Sequence, residues 1–196
     1  MNKVGLTSRL DGSSAALSRW LGLPRAPLPA RHALAPLVLF LCGSNTASSI
    51  MAEAILQHFA EARVRAASAG ESPEGQVNPY TLECLRIHGV AIRGLRSKGQ
   101  CEFFGPRKPP IRFIITLGEF ESIGVDSDHS GRRSVTGHWG MEDPANARGA
   151  DSDFRLGFEE AFRTLALRIH KFLTLPLGRL TDQALSRELA LIGNEA

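Results

Sequence analysis

No apolar run in these 196 residues approaches the ~18 needed to cross a bilayer. The longest candidate, Ala35 to Cys42, is too short even for a good secretory core, and no small-residue cleavage pattern follows it. A soluble, intracellular and cytoplasmic protein with no membrane partner is therefore expected. Cysteine is scarce and odd in number: Cys42, Cys84 and Cys101 show no zinc-like spacing, which argues against both a disulfide framework and a structural metal site. Tyrosine occurs once, at Tyr80. Excess charge is also lacking outside the N-terminus. Lys3, Arg9, Arg19, Arg25 and Arg31 face one acid, Asp11, over the first 36 residues, so the net +3 of the chain leaves −1 for the remainder. That near-neutral remainder excludes a whole-protein attraction for nucleic acid.

What is present suits one globular core of ordinary composition. Residues 1–36 are rich in Ser, Ala, Leu, Arg and Pro, and Pro24, Pro27, Pro29 and Pro36 interrupt any helix. They are read as a poorly ordered basic leader; an organelle transit peptide, a plain leader and a misassigned start share this composition. The domain is taken as residues 37–196. It opens on Leu37-Val38-Leu39-Phe40-Leu41-Cys42, a continuous apolar run of strand length that fits a strand buried on both faces. A helix is predicted from Ile50 to Ala62 and a second strand from Val64 to Ala69. Asn78-Pro79 caps a second helix, Tyr80 to His88, ending at Gly89. Ile111 to Leu117 is another buried strand, Asp151 to Leu173 a long amphipathic helix, and Thr181 caps a terminal helix reaching Ile192. This alternation predicts an α/β fold with a parallel, flavodoxin-like sheet and a site at the carboxyl end of its first strand.

The segment that carries chemistry is Cys42-Gly43-Ser44-Asn45-Thr46-Ala47-Ser48-Ser49, between a buried strand and a helix. Small residues let successive N–H groups turn around an oxyanion, and the helix N-terminus adds partial positive charge. The same field is expected to lower the Cys42 pKa and make it a nucleophile. A buried packing cysteine is the alternative reading of the same residue. His58, His88 and His170 fall in predicted helices without ligand spacing, and His138 falls in a loop, so no metal or organic cofactor is indicated.

Val38 to Ala54 resembles the low-molecular-weight protein tyrosine phosphatase superfamily, in particular its arsenate reductase branch, whose loop reads Cys, five residues, Arg, Ser, then Met-Ala-Glu-Ala as in Met51 to Ala54. The resemblance continues through Ser68-Ala69-Gly70, Val77-Asn78-Pro79, Arg96-Ser97-Lys98, Phe113 to Thr116, His138-Trp139-Gly140 and Asp143-Pro144-Ala145, over nearly all of residues 37–175. It implies a single three-layer domain around a four-stranded parallel sheet. It implies a nucleophilic Cys42, Asn45 shaping the loop in a left-handed conformation, Ser49 bonded to the thiolate, and Asp143 as general acid. The backbone of Gly43, Ser44, Asn45, Thr46, Ala47 and Ser48 would bind arsenate or phosphate.

Two departures from the family stand out. Its loop arginine is Ser48 here, which exchanges a charged donor fork for one hydroxyl. Candidate cations to replace it are Arg96 first, then Lys98, Arg132 and Arg133. Its relay cysteines are also missing, because Gly118 to Val125 contains none. An external reductant, glutathione with glutaredoxin or thioredoxin, would then resolve the Cys42 adduct. Cys84 reads as packing and Cys101 as the more available second thiol. The alternatives are a phosphatase-like hydrolase working through a phosphoenzyme, and an inactive homologue that binds an oxyanion or phosphopeptide.

Overall fold

The computed structural model describes residues 35–105, 108–118 and 134–194, together with Leu21. Residues 1–20 and 22–34 of the basic leader, and Arg132 and Arg133, lie outside the described residues; Leu21 is half-buried against the core. Four strands, β1 Leu37–Cys42, β2 Arg65–Gly70, β3 Ile111–Leu117 and β4 Val135–Trp139, form one parallel sheet in the order β2-β1-β3-β4. β1 is central and buried along its whole length, as its unbroken apolar sequence requires. The helices are α1 Ser48–Phe59, α2 Pro79–Ile87, α3 Asp151–Thr174 and α4 Asp182–Asn194.

Alternation along β1 divides the interior. Val38, Phe40 and Cys42 join the larger cluster with Met51, Ile55 and Phe59 of α1 and Phe162, Leu165 and Ile169 of α3. Leu37, Leu39 and Leu41 join Ala67, Ala69 and Ile114 on the other face, against which Phe103 and Phe104 pack. Most elements begin where local chemistry starts them. Asn78 Oδ1 accepts the Tyr80 N–H at 2.9 Å with Pro79 in the first helical turn, and Thr181 Oγ1 accepts the Ala184 N–H at 3.3 Å.

Two expectations need correction. α1 runs from Ser48 to Phe59 rather than from Ile50 to Ala62; Glu61 and Ala62 take positive φ values of 48° and 61° and close the helix early. Its earlier start places Ser48 and Ser49 in the first turn, so their amides lie at the positive end of the helix. His138 is not in a loop but in β4, where its Nδ1 lies 2.8 Å from Thr116 Oγ1. β4 is short and has glycine in the middle, so it carries little strand signal. Gly137 is there because α4 leans on it: a Cβ would sit 2.7 Å from Leu189 Cβ.

Candidate active site

Cys42 ends β1, and the backbone from Gly43 to Ala47 turns from that strand into α1. The carbonyls of this loop are taken from outside. Cys42 O accepts from Glu71 N, Gly43 O from Ser72 N, Ser44 O from Glu74 N, Thr46 O from Asn78 N and the Thr81 hydroxyl, and Ala47 O from Met51 N. By contrast, the amides of Ser44, Thr46, Ala47 and Ser48 donate to no main-chain group among the described residues. Buried amides almost always find a partner, so an outward-facing row of carbonyls with inward-facing N–H groups is a ready anion cradle. Ser48 strengthens the case. Its hydroxyl is buried and has no hydrogen-bond partner among the described residues.

The thiol sits on a built network. Asn45 N–H points to Cys42 Sγ at 3.3 Å, and Ser49 Oγ lies 2.9 Å from the same sulfur. Asn45 has the left-handed φ expected of it, 51°. Its side-chain amide donates to Ser49 Oγ at 2.8 Å and to Ser68 Oγ at 2.9 Å, and its carbonyl accepts the Lys98 N–H at 2.7 Å. Ser49 Oγ accepts from Asn45, so its own proton is available to a Cys42 thiolate. Ser68 in turn donates to Glu53 Oε2 at 2.5 Å, and the Lys98 ammonium donates to the same oxygen at 2.8 Å. Glycine at position 70 lets β2 come this close: a Cβ there would stand 2.8 Å from Gly43 O and 2.9 Å from Asn45 Cβ.

Of the candidate cations, Arg96 and Lys98 lie among the described residues, and neither takes the place of the arginine. Arg96 is exposed and forks onto both oxygens of Glu102. Lys98 is buried, but its charge is spent on Glu53 behind the loop rather than in front of it. Glu53 and Ser68 escaped the sequence reading although both lie inside the quoted motif blocks, since nothing in their spacing ties residues 15 apart. The expectation of a lowered Cys42 pKa is overturned. Burial pushes the thiol above its ordinary value, the Ser49 and Asn45 hydrogen bonds offset only part of this, and the Asp143 charge adds to the rise.

Asp143 is thus close enough to act on Cys42 electrostatically. One oxygen caps the short turn Pro144–Asn146 by accepting the Ala145 N–H at 3.0 Å, while the other makes no hydrogen bond among the described residues. The buried Arg168 of α3 steadies the approach to this loop, donating to Gly140 O at 3.0 Å and to Gly193 O at 2.9 Å. Trp139 is wholly buried against Phe40, with its indole N–H on Leu189 O, and presents no aromatic surface. Cys101 is exposed; Cys84 is buried, faces Phe158 O, and is pushed up to about 12 by burial and the nearby Glu159 and Glu83.

Residues 37–106 match the family model for low molecular weight phosphotyrosine protein phosphatase. Over those residues the chain is similar to that family. It is also similar to an arsenate reductase of Shouchella clausii, 26% identical over 139 residues that make up 69% of this chain and 94% of that protein. Among solved structures, an arsenate reductase from Archaeoglobus fulgidus superposes with a TM-score of 0.54 at 24% identity, covering 70% of this chain and 99% of the other. A second arsenate reductase, in a phosphate-binding state, gives 0.53 at 20% identity over 69% and 98%. These superpositions agree with the four-stranded α/β architecture. Among the described residues no helix is long and apolar enough to cross a membrane.

Proposed function

We propose that residues 37–196 of this arsenate reductase-like protein work as a thiol-dependent reductase of arsenate, apart from the basic leader 1–36. The observation that carries this reading is a cysteine sulfur held by Ser49 and Asn45 beside a loop in which the Ser44, Thr46, Ala47 and Ser48 amides have no main-chain acceptor among the described residues. Arsenate oxygens would take those amides and the Ser48 hydroxyl. The Cys42 thiol gives its proton to the Asp143 carboxylate and attacks arsenic as the thiolate, an As–O bond breaks, and Asp143 passes that proton to the oxygen, which leaves as water. An external thiolate next attacks Cys42 sulfur. The S–As bond breaks, its electron pair stays on arsenic, and arsenite departs while a mixed disulfide forms on Cys42. A second external thiol reduces that disulfide. Glutathione with glutaredoxin is favoured over Cys84 as the resolving thiol, because Cys84 is buried and resists ionisation.

The test follows arsenate-dependent NADPH oxidation coupled to glutathione and glutaredoxin, and separately to thioredoxin. Turnover with the glutathione system is expected, lost in Cys42→Ser and raised tenfold or more, roughly, in Ser48→Arg, given the ~10²–10³ worth of an oxyanion donor. Inactivity of both wild type and Ser48→Arg with either reductant would overturn the reading and leave an oxyanion-binding homologue.

A further inference from the structure

A second group of chemically capable side chains lies away from the thiol loop, where α2 packs on α3. Cys84 in the last turn of α2 and His88 at its C-terminal cap stand four residues apart, the spacing that puts two side chains on one helix face. Glu159 of α3 comes up to meet them, and one ligand atom from each of the three residues lies within 4.8 Å of the other two. A tetrahedral zinc ion, with bonds of about 2.3 Å to sulfur and about 2.0–2.1 Å to nitrogen or oxygen, spaces its donors roughly 3.3–3.6 Å apart. Small rotamer adjustments cover the difference.

The donors are also oriented. His88 stacks on Phe162 with ring centroids 3.9 Å apart and planes 9° from parallel, and its Nε2 lies 2.8 Å from Glu159 Oε2. The other Glu159 oxygen is held by Arg163 Nε at 3.0 Å. Cys84 and His88 are buried, whereas Glu159 is partly exposed and leaves a solvent side for a fourth, water ligand. The donor set is selective. Thiolate and imidazole suit zinc and not magnesium or calcium, and one thiolate plus one carboxylate neutralise a dication.

We infer that Cys84, His88 and Glu159 form a zinc(II) site that clamps α2 to α3. On binding, the Cys84 S–H bond breaks, its proton goes to solvent and an S–Zn bond forms, with no electron transferred. The weak hydrogen bond from Cys84 Sγ to Phe158 O is given up. The clamp also reaches the loop indirectly, since Asn78 N–H and the Thr81 hydroxyl, both at the start of α2, donate to Thr46 O at 3.0 and 3.1 Å.

The experiment titrates the reduced full chain with Zn²⁺, and with Co²⁺ as a spectroscopic substitute. One equivalent should bind, with a thiolate-to-cobalt charge-transfer band that survives in Cys42→Ser/Cys101→Ser and disappears in Cys84→Ser. His88→Gln and Glu159→Gln should weaken Zn²⁺ at least tenfold. Zn²⁺ should raise the melting temperature of the Cys42→Ser/Cys101→Ser protein and leave that of Cys84→Ser unmoved. Circular dichroism of each metal-free variant checks its folding, and Glu159→Gln, partly exposed, keeps the test open if Cys84→Ser misfolds. A band that persists without Cys84, a band that needs Cys42 or Cys101, or no binding at micromolar Zn²⁺ overturns the site.

Discussion

Replacing Lys98 by methionine removes one charge of a buried pair while keeping most of the side-chain volume. Lys98 and Glu53 have side chains only 7% and 9% exposed and meet at 2.8 Å. Cutting one partner from such a pair strands the other charge in a poorly solvated place, which costs about 3–5 kcal/mol, against ~1 kcal/mol or less for an exposed pair. Glu53 keeps hydrogen bonds from Ser68 at 2.5 Å and Gln57 at 3.3 Å, so the lower end, about 3 kcal/mol, is expected. For a domain of this size that lowers the melting temperature by roughly 6–12 °C. Urea unfolding of Lys98→Met, Glu53→Gln and the double variant gives the coupling directly. The double variant should recover at least half of the loss, because no charge remains stranded. A Lys98→Met cost below about 1 kcal/mol would refute the reasoning and reduce the pair to a surface contact.

Asp143→Asn keeps a capping oxygen for the Ala145 amide but removes the charge that helps hold the Cys42 thiol up; the pH profile of Cys42 alkylation by iodoacetamide should move to lower pH, and an unchanged profile would place Asp143 outside the thiol's field. The Cys84 pKa is raised from 9.0 to about 12 in the folded chain, so the native state holds its proton longer than the unfolded one. Its stability contribution is complete below pH 9.0 and is lost as pH climbs toward 12. Urea unfolding should lose about 2 kcal/mol between roughly pH 9 and 10.5 relative to Cys84→Ala, a comparison that cancels the other titrating groups. Gly70→Ala drives a Cβ into Gly43 O and Asn45 Cβ and should cost about 1–3 kcal/mol in urea unfolding, with faster proteolysis of the 43–47 loop. Phosphate protection of Cys42 from alkylation should weaken as the pH rises and phosphate takes its second charge, because among the described residues the cradle offers dipoles and no guanidinium; Ser48→Arg should remove that weakening.

The fold was legible because its signals are local. An unbroken apolar run marks β1, Asn78-Pro79 marks the start of α2, and a recurring phenylalanine face marks α3, each set by residues close in sequence. β4 was not legible, since Gly137 and His138 serve the packing of α4 and a contact to Thr116 rather than strand propensity. The candidate site divides along the same line. Cys42, Asn45 and Ser49 share one loop and could be read together, whereas the link from Ser68 through Glu53 to Lys98 spans three segments that only the folded sheet assembles. The thiol pKa went the other way from expectation because the helix terminus was visible in sequence and the depth of burial was not.

The charge balance around the loop explains why Ser48 weighs so heavily in the proposed chemistry. Each basic side chain that the motif blocks bring near it already has a carboxylate: Arg96 holds Glu102 and Lys98 holds Glu53. The pair behind the loop orders Asn45 and leaves no net charge to stabilise a thiolate, while Asp143 adds a negative one. A guanidinium at position 48 would stabilise the bound oxyanion and the thiolate together, since both are anions in the same small space. With serine there, burial holds the thiol pKa up, and attack depends on an acceptor for the thiol proton, either a bound oxyanion or the Asp143 carboxylate. In Asp143→Asn, alkylation of Cys42 should therefore reach its full rate at lower pH while arsenate turnover falls, because the same substitution that frees the thiolate removes the proton donor.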